Sequence, residues 1–410
     1  MSITQTRPDA DPIVAPQLAG PTVAPGDELF GGERLVLAHD AATGLRAAIA
    51  VDDTTLGPAL GGVRFKRYPD PAAGVREARR LAAAMTLKNA AAGLPYGGGK
   101  AVILDDGLAT DREALMAAFG RVVAAMGGTY LPGVDMGTTT GDLAVMGHAG
   151  AEVSCADEDP SPWTALGVHA AIVAAVRHLD GPSVVSRPAG VGDASARADG
   201  AVAVRHDRRP DSGSDRGPAG HGPLAGVRVL IQGAGHVGAT LARLVRDSGG
   251  TVLIADVDPV RAAAVAQETG GTTVPADEVL TTACDVFAPC AVARVLDERT
   301  IAGLRCRIVA GAANDTLAEH EDAARLADRG VLYVPDFLAN AGGVVHIHAL
   351  RAGWDTARLR AEILAIGDRV SAVLDDASAA GGTPLAAAEA LAHERIARAR
   401  RAGELAGTLA

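Results

Sequence analysis

Val227-Arg-Val-Leu-Ile-Gln-Gly233-Ala-Gly235-His236-Val237-Gly238 decides the fold of this chain. Residues 227 to 232 are a short apolar run of the kind that forms a strand, and an amphipathic helical pattern follows as far as Asp247. Between them the glycines are spaced G-x-G-x-x-G. The first makes a tight turn, the second lets a pyrophosphate approach the backbone, and the third lets helix pack on strand. Phosphates would sit at the helix N-terminus, where unpaired N–H groups and the helix dipole favour anions. Asp256 closes the next predicted strand, Thr251 to Ala255, where an acid can bind ribose hydroxyls and would repel a 2′-phosphate; the spacing predicts NAD rather than NADP. Contacts to the cofactor are expected from Gly233, Gly235, His236, Val237, Gly238 and Asp256, with the His236 side chain facing solvent.

The same alternation continues outward. A helix to Thr269 is followed by strands at Val286 to Ala288, Arg307 to Ala310 and Val331 to Val334, so the second half is a mostly parallel, doubly wound α/β sheet. Upstream, Glu33 to Val51 alternates like an antiparallel hairpin, Gly74 to Ala92 is helical, and Lys100 to Leu104 looks like a strand. Asp111 is a plausible N-cap for a helix to Met126. Another helix starts near Pro162 and runs from Ala165 to Leu179. Gly181 to Pro223 has little apolar periodicity and is expected to be a flexible insert. Helices fill the tail from Thr356 to about Leu374 and from Pro384 to Arg401.

Composition limits the functional classes. At ~150 residues per domain, 410 residues make two or three domains. A net charge of −11 repels phosphate backbones and anionic lipid, so neither nucleic acid nor a membrane surface is an expected partner. No apolar run approaches the ~20 residues of a membrane span. Residues 1–26, rich in Pro, Asp and Ala, read as a disordered leader on a cytoplasmic protein. The four cysteines, Cys155, Cys284, Cys290 and Cys306, suggest neither a disulfide framework nor a metal site and are expected to be buried thiols.

Of 38 basic residues only Lys66, Lys88 and Lys100 are lysines. Arg stays protonated in a protein, whereas a buried Lys can lose its proton and act as a base. Lys100 follows Gly97-Gly98-Gly99, read here as a backbone turn beside a ligand. A phosphate-binding P-loop is excluded, because Ala101 stands where the hydroxyl should be and the spacing is wrong. Lys88 shares a helix face with Leu81, and an unpaired ammonium there calls for an anionic partner. The alternative for each is an ordinary solvated lysine.

Gly57-Pro-Ala-Leu-Gly-Gly62-Val-Arg64, Met85-Thr-Leu-Lys88-Asn-Ala, Leu94-Pro-Tyr-Gly-Gly-Gly-Lys100, Val134-Asp135-Met-Gly-Thr, Gly311-Ala312-Ala-Asn314 and Asn340-Ala-Gly-Gly343 occur in this order. Together they resemble the Glu/Leu/Phe/Val dehydrogenase family, in its leucine, valine and phenylalanine branch. The resemblance implies two domains. A substrate and oligomerisation domain at 27–160 would be completed by helices at 355–410, and a Rossmann NAD-binding domain at 161–354 would face it across an active-site cleft. It implies NAD-dependent, reversible oxidative deamination of an L-amino acid to its 2-oxo acid, in a homo-oligomer. Lys100 resembles the lysine that activates the attacking water, and Asp135 the carboxylate that exchanges protons with the substrate nitrogen. Lys88, with the Gly62 backbone, resembles the grip on the substrate carboxylate. Asn314 resembles the amide near the amine and nicotinamide, with Thr164, Ala312 and Asn340 on the cofactor side.

By the same resemblance Leu60, Gly133, Thr164, Val344 and Ile347 line the side-chain pocket. They are apolar or small, which disfavours glutamate. Gly133 resembles the phenylalanine enzymes and Leu60 the leucine and valine enzymes, and phenylalanine is slightly favoured. The hinge is expected at Pro162 to Leu166 and Ala339 to Val345, with Gly342-Gly343 allowing bending. His346 and His348, one residue either side of Ile347, are expected to alternate away from the pocket. Two departures from the family are Ala293-Arg294, in place of Gly-Gly near the nicotinamide, and Asp315, in place of a second Asn. Ala293-Arg294 motivates one alternative, an NAD-binding protein with altered or lost catalysis; a second, a glutamate-type enzyme, predicts a basic group in the side-chain pocket, which Leu60, Gly133, Val344 and Ile347 do not supply.

Overall fold

The computed structural model describes residues 31–107, 111–154, 158–181 and 222–408. The leader at 1–26, nearly all of the 181–223 insert and Cys155 lie outside the described residues.

The first domain is a five-stranded sheet of order β1-β2-β4-β3-β5 with helices on both faces. β1 (Arg34–Asp40) and β2 (Leu45–Asp53) are the expected hairpin, with Arg34 opposite Val51. β3 (Ala59–Lys66), α1 (Pro71–Ala91), β4 (Gly97–Leu104), α2 (Arg112–Ala125), β5 (Tyr130–Val134) and α3 (Thr140–His148) follow. β3 lies parallel between β4 and β5. α1 starts where the Asp70 side chain accepts the Ala73 N–H at 2.7 Å, ahead of Pro71, whose fixed φ suits a first helical position. Its Ala78 and Ala82 settle on Ala48, Ala50 and Val102, small residues that bring helix and sheet close. α2, capped by Asp111 as expected, buries Leu115, Met116 and Phe119 on the opposite face with Ile49, Ile103 and Tyr130.

The glycine run corrects one expectation: Gly97 to Gly99 form the start of β4 and not a turn. A Cβ on Gly98 would lie 2.2 Å from the Thr86 nitrogen, and one on Gly61 1.7 Å from the Gly99 carbonyl oxygen. The glycines therefore let α1 and β3 press backbone to backbone against β4, which brings Lys88 and Lys100 into one neighbourhood.

α4 (Ser161–Asp180), buried along most of its length, leads into the second domain. There β6 (Arg228–Gln232), α5 (His236–Asp247), β7 (Thr251–Ala255), α6 (Pro259–Thr269), β8 (Thr272–Thr273) and β9 (Val286–Pro289) alternate as expected. α7 (Glu298–Gly303), β10 (Ile308–Val309), α8 (Asp322–Asp328), β11 (Leu332–Tyr333), α9 (Asp336–Ala339) and α10 (Gly342–Ala352) complete the unit. All six strands are parallel, in the order β11-β10-β9-β6-β7-β8. The order reverses between β6 and β9, the switch point where open α/β sheets bind ligands. α11 (Thr356–Leu364) and α12 (Ile366–Ala380) cover α4, and α13 (Pro384–Thr408) packs on both α12 and α1. Among the described residues, no helix is long and apolar enough to cross a membrane.

Residues 342–352 are helical, so strand alternation does not apply to the two histidines. His346 is buried, with Nε2 2.9 Å from Glu158 and its ring stacked on Trp163. His348 meets the Tyr96 hydroxyl at 3.0 Å. Gly342 opens α10 against the start of α4. A Cβ there would come 2.1 Å from the Trp163 carbonyl oxygen, so the glycine lets α10 touch α4 directly. Of the other cysteines, Cys284 is buried while Cys290 and Cys306 are half-buried.

Candidate active site

A cavity of about 480 Å³ opens between the two sheets. Leu60 and Gly62 of β3, Lys88 of α1, Lys100 of β4, Gly133 of β5 and Asp135 just beyond it form one wall. Asn314, from the loop after β10, and Val344 and Ile347 of α10 form the other. Residues more than 280 positions apart in sequence thus share one space.

Lys100 is 8% exposed, and its Nζ lies 2.8 Å from Asp135 Oδ2. Burial lowers the Lys100 pKa below the ordinary lysine value, and Asp135 opposes the shift. Burial works to raise the Asp135 carboxyl, yet Lys100 and Arg64 together hold it well below the usual carboxylate range. A carboxylate and an amine of depressed pKa therefore stand in contact, able to pass a proton. Gly62 keeps the approach open: a Cβ there would sit 2.7 Å from Asp135 Cβ and 3.2 Å from Lys100 Nζ.

Lys88 Nζ donates to Asn314 Oδ1 at 2.7 Å. Asn340 Nδ2 donates to the same oxygen at 3.0 Å and to the Ala312 carbonyl at 3.1 Å. Asn314 is thereby fixed with its amide oxygen toward Lys88. Burial brings Lys88 down to about 8, against the pull of Asp336. Asp336, which no motif singles out, is a half-buried acid in the cavity wall. Burial raises its pKa, and its carboxylate accepts the Thr316 N–H at 2.7 Å. An incoming carboxylate would restore the charge of Lys88.

The glycine turn fits a dinucleotide. Gly233 has φ +104°, and a Cβ on Gly238 would fall 1.8 Å from the Gly233 carbonyl oxygen. A Cβ on Gly235 would meet nothing within 4 Å, which leaves the approach to the helix N-terminus open. Asn340 Oδ1 is buried without a partner among the described residues. An acceptor so placed is costly unless something donates to it, and the N–H of a carboxamide would.

The other residues expected at the cofactor lie around this turn and the start of α4. The Asp256 carboxylate is turned onto the turn itself, accepting the Ala234 N–H at 2.7 Å and the Asp258 N–H at 2.8 Å, with Arg261 at 3.1 Å. His236 opens α5 with its side chain 85% exposed, 3.3 Å from Asp159. Val237 is half-buried behind it. Thr164 bonds the Pro160 carbonyl at 3.2 Å and is not part of the cavity wall.

Arg294 and Asp315 both have left-handed backbones, with φ of +54° and +57°. The Arg294 N–H donates to the Asp315 carbonyl at 2.6 Å, and its guanidinium turns to Glu319 at 3.0 Å. Asp315 reaches across the cleft to Arg80 of α1 at 2.6 Å. His320, also in the wall, pairs with Glu389. Arg294 and His320 are both engaged by acidic side chains, and the pocket around Leu60, Gly133, Val344 and Ile347 is lined by apolar or small residues. A left-handed non-glycine residue costs about 1–2 kcal/mol. Arg294→Gly should accordingly raise unfolding stability by about 1 kcal/mol, read as a higher urea midpoint at unchanged slope. A lower midpoint would show that the Glu319 pair outweighs the strain.

Residues 34–150 match the Glu/Leu/Phe/Val dehydrogenase dimerisation domain, and residues 255–403 match the Glutamate/Leucine/Phenylalanine/Valine dehydrogenase domain. The chain is 32% identical to leucine dehydrogenase of Thermoactinomyces intermedius over 380 residues, 91% of this chain and 93% of that one. Against valine dehydrogenase of Streptomyces albus it is 34% identical over 397 residues, 92% and 98% of the two chains. L-tryptophan dehydrogenase from Nostoc punctiforme superimposes with a TM-score of 0.69 at 31% identity, covering 90% of this chain and 97% of that one.

Proposed function

The chain belongs to the Glu/Leu/Phe/Val dehydrogenase family, and from that premise we propose that it oxidises an apolar L-amino acid reversibly to its 2-oxo acid, consuming water and releasing ammonia. The observation that carries this is the convergence of Lys100, Asp135, Lys88 and Asn314 on one cavity beside an open dinucleotide turn. NAD would be held at the turn of Gly233, Gly235 and Gly238 with Asn340 Oδ1 toward its carboxamide, and would supply the acceptor for the hydride of the substrate Cα. Lys88 and the Gly62 backbone hold the substrate carboxylate, and Asn314 orients the amine. Asp135 accepts a proton from the amine, so that nitrogen can share its lone pair as the hydride leaves. Lys100, neutral, takes a proton from the water that attacks the resulting imine carbon. Asp135 then returns a proton to the nitrogen as the carbon–nitrogen bond breaks; the departing ammonia takes the hydroxyl proton and leaves as ammonium, the 2-oxo acid remains, and Lys100 gives its proton to solvent. Val344, Ile347 and Leu60 exclude bulk water and receive the side chain.

The glycine at 133 and the tryptophan dehydrogenase neighbour support an aromatic substrate, phenylalanine ahead of leucine and valine. A cytoplasmic homo-oligomer accords with the composition and the dimerisation-domain match.

The test is NADH absorbance with NAD and L-Phe, L-Leu, L-Val or L-Glu. Turnover should be fastest with one of the first three and slowest with L-Glu. NAD binding without turnover of any would make the chain a binding protein. kcat/KM for deamination should rise with pH and lose its acid limb through the Lys100 pKa, because the base must be neutral and its pKa lies below the lysine value of 10.5. A profile falling between pH 7 and 9 would exclude Lys100 as base.

A further inference from the structure

The chemistry above gives Arg64 no task, yet this residue stands directly behind Asp135. From β3 its Nε donates to Asp135 Oδ2 at 2.9 Å, and its Nη2 approaches Oδ1 at 3.5 Å. Its Nη1 donates to Glu77 of α1, whose other oxygen stands 4.0 Å from Lys66 Nζ. The side chains of Arg64, Glu77 and Asp135 are 14%, 17% and 20% exposed, so solvent screens this row weakly. Charge alternates along it, from Lys100 to Asp135, Arg64, Glu77 and Lys66. Lys100 reaches only one oxygen of Asp135, and one contact leaves a carboxylate able to swing about its Cβ–Cγ bond. A guanidinium fork against both oxygens sets the plane of the group, which a point charge could not do.

We infer that Arg64, itself held by Glu77, is the positioning residue of this site, fixing the Asp135 carboxylate at the angle from which it exchanges protons with the substrate nitrogen. This rests on the dehydrogenase reaction proposed above, and Arg64 acts only through Asp135. It also bears on Lys100. The charges facing Lys100 are Asp135 beyond β5, Arg64 on β3, and Glu77 and Lys88 on α1. Asp52 of β2 is engaged by Thr86 of α1 at 2.6 Å, and Asp336 of α9 faces Lys88. Arg64 is the cation that shares Asp135 with Lys100.

Arg64→Gln should lower kcat at least about tenfold, the scale of a misplaced reacting group, with KM for the amino acid within about threefold and NAD affinity unchanged. The acid limb of kcat should move to higher pH, because Lys100 loses a positive neighbour and keeps its proton longer. Glu77→Gln removes a negative charge and should move the limb the opposite way, by less. Arg64→Lys should restore the limb but only part of kcat, since the charge returns without the fork. An unmoved limb with unchanged kcat, or a loss of kcat matched by a loss of NAD affinity, would overturn the assignment. If Arg64→Gln does not fold, the opposed responses of Glu77→Gln and Arg64→Lys decide it. A wild-type chain that turns over no amino acid would instead refute the reaction. In that case the carboxyl ¹³C titration of Asp135 decides alone, since Arg64→Gln must raise that pKa if the fork is as described and leaves it unmoved if not.

Discussion

Replacing Lys100 with Arg should lower kcat for amino-acid oxidation by about 10²–10⁴-fold, the contribution of a positioned general base, while NAD still binds. Arg keeps the positive charge and the pair with Asp135, so the electrostatics of the empty cavity barely change. What it loses is the ability to shed a proton at any working pH. Lys100 is suited to the role because its Nζ is buried and shares its counter-charge with Arg64, two circumstances that favour the neutral amine. Stopped-flow NADH formation together with equilibrium NAD titration separates the chemical step from binding. Turnover within tenfold of wild type would place the base elsewhere. The larger Arg could also crowd Gly62, so Lys100→Gln serves as a second variant, equally inactive if proton transfer is what was lost.

Gly98→Ala should destabilise the protein by about 3 kcal/mol or more, at the upper end of overpacking penalties. The added methyl would stand 2.2 Å from both the Thr86 nitrogen and Oγ1, and 2.4 Å from the Ala82 carbonyl oxygen. Two of these are backbone atoms inside α1, so no side-chain rotation relieves the clash; helix and strand must separate. Because Lys88 is carried by that helix and Lys100 by that strand, activity should fall even in the fraction that folds. Urea denaturation gives the first effect and kcat/KM below the melting range the second. A stability within 0.5 kcal/mol of wild type, the range of an ordinary surface substitution, would mean that α1 does not rest on Gly98.

The second domain was legible because its signals are local. The predicted bounds of β7 and the ends of α5 and α6 agree with the structure, since each strand is a short apolar run and each helix has its own period. β3 and β5 were not legible as strands. Gly57-Pro-Ala-Leu-Gly-Gly and Tyr130-Leu-Pro-Gly-Val carry residues that disfavour strands, and only sheet pairing overrides this. β5 lies at the edge of its sheet, where Pro132 is tolerated. Gly97 to Gly99 suggest a turn for the same reason: what requires glycine there is close packing in the fold, of Asp53 on Gly97, α1 on Gly98 and Tyr130 on Gly99. In the site, the scarcity of lysine singled out Lys88 and Lys100. Nothing comparable singled out Arg64, Glu77 or Asp336, which are common residue types whose importance comes from burial and from partners distant in sequence. The Asp256 carboxylate shows the opposite limit: its position at the end of β7 was legible, but the direction it faces was not.

Two of the three lysine side chains line the cavity, and only Lys66 stands well into solvent. Amine-directed reagents such as active esters or aldehydes attack the unprotonated form, which burial promotes at Lys88 and Lys100. On most proteins such chemistry spreads over a surface rich in ammonium groups and spares the working centre. Here two of the three lysines stand inside the cavity, so a small amine reagent that enters it modifies the working centre, whereas coupling to a support falls on the exposed Lys66 and the α-amino group.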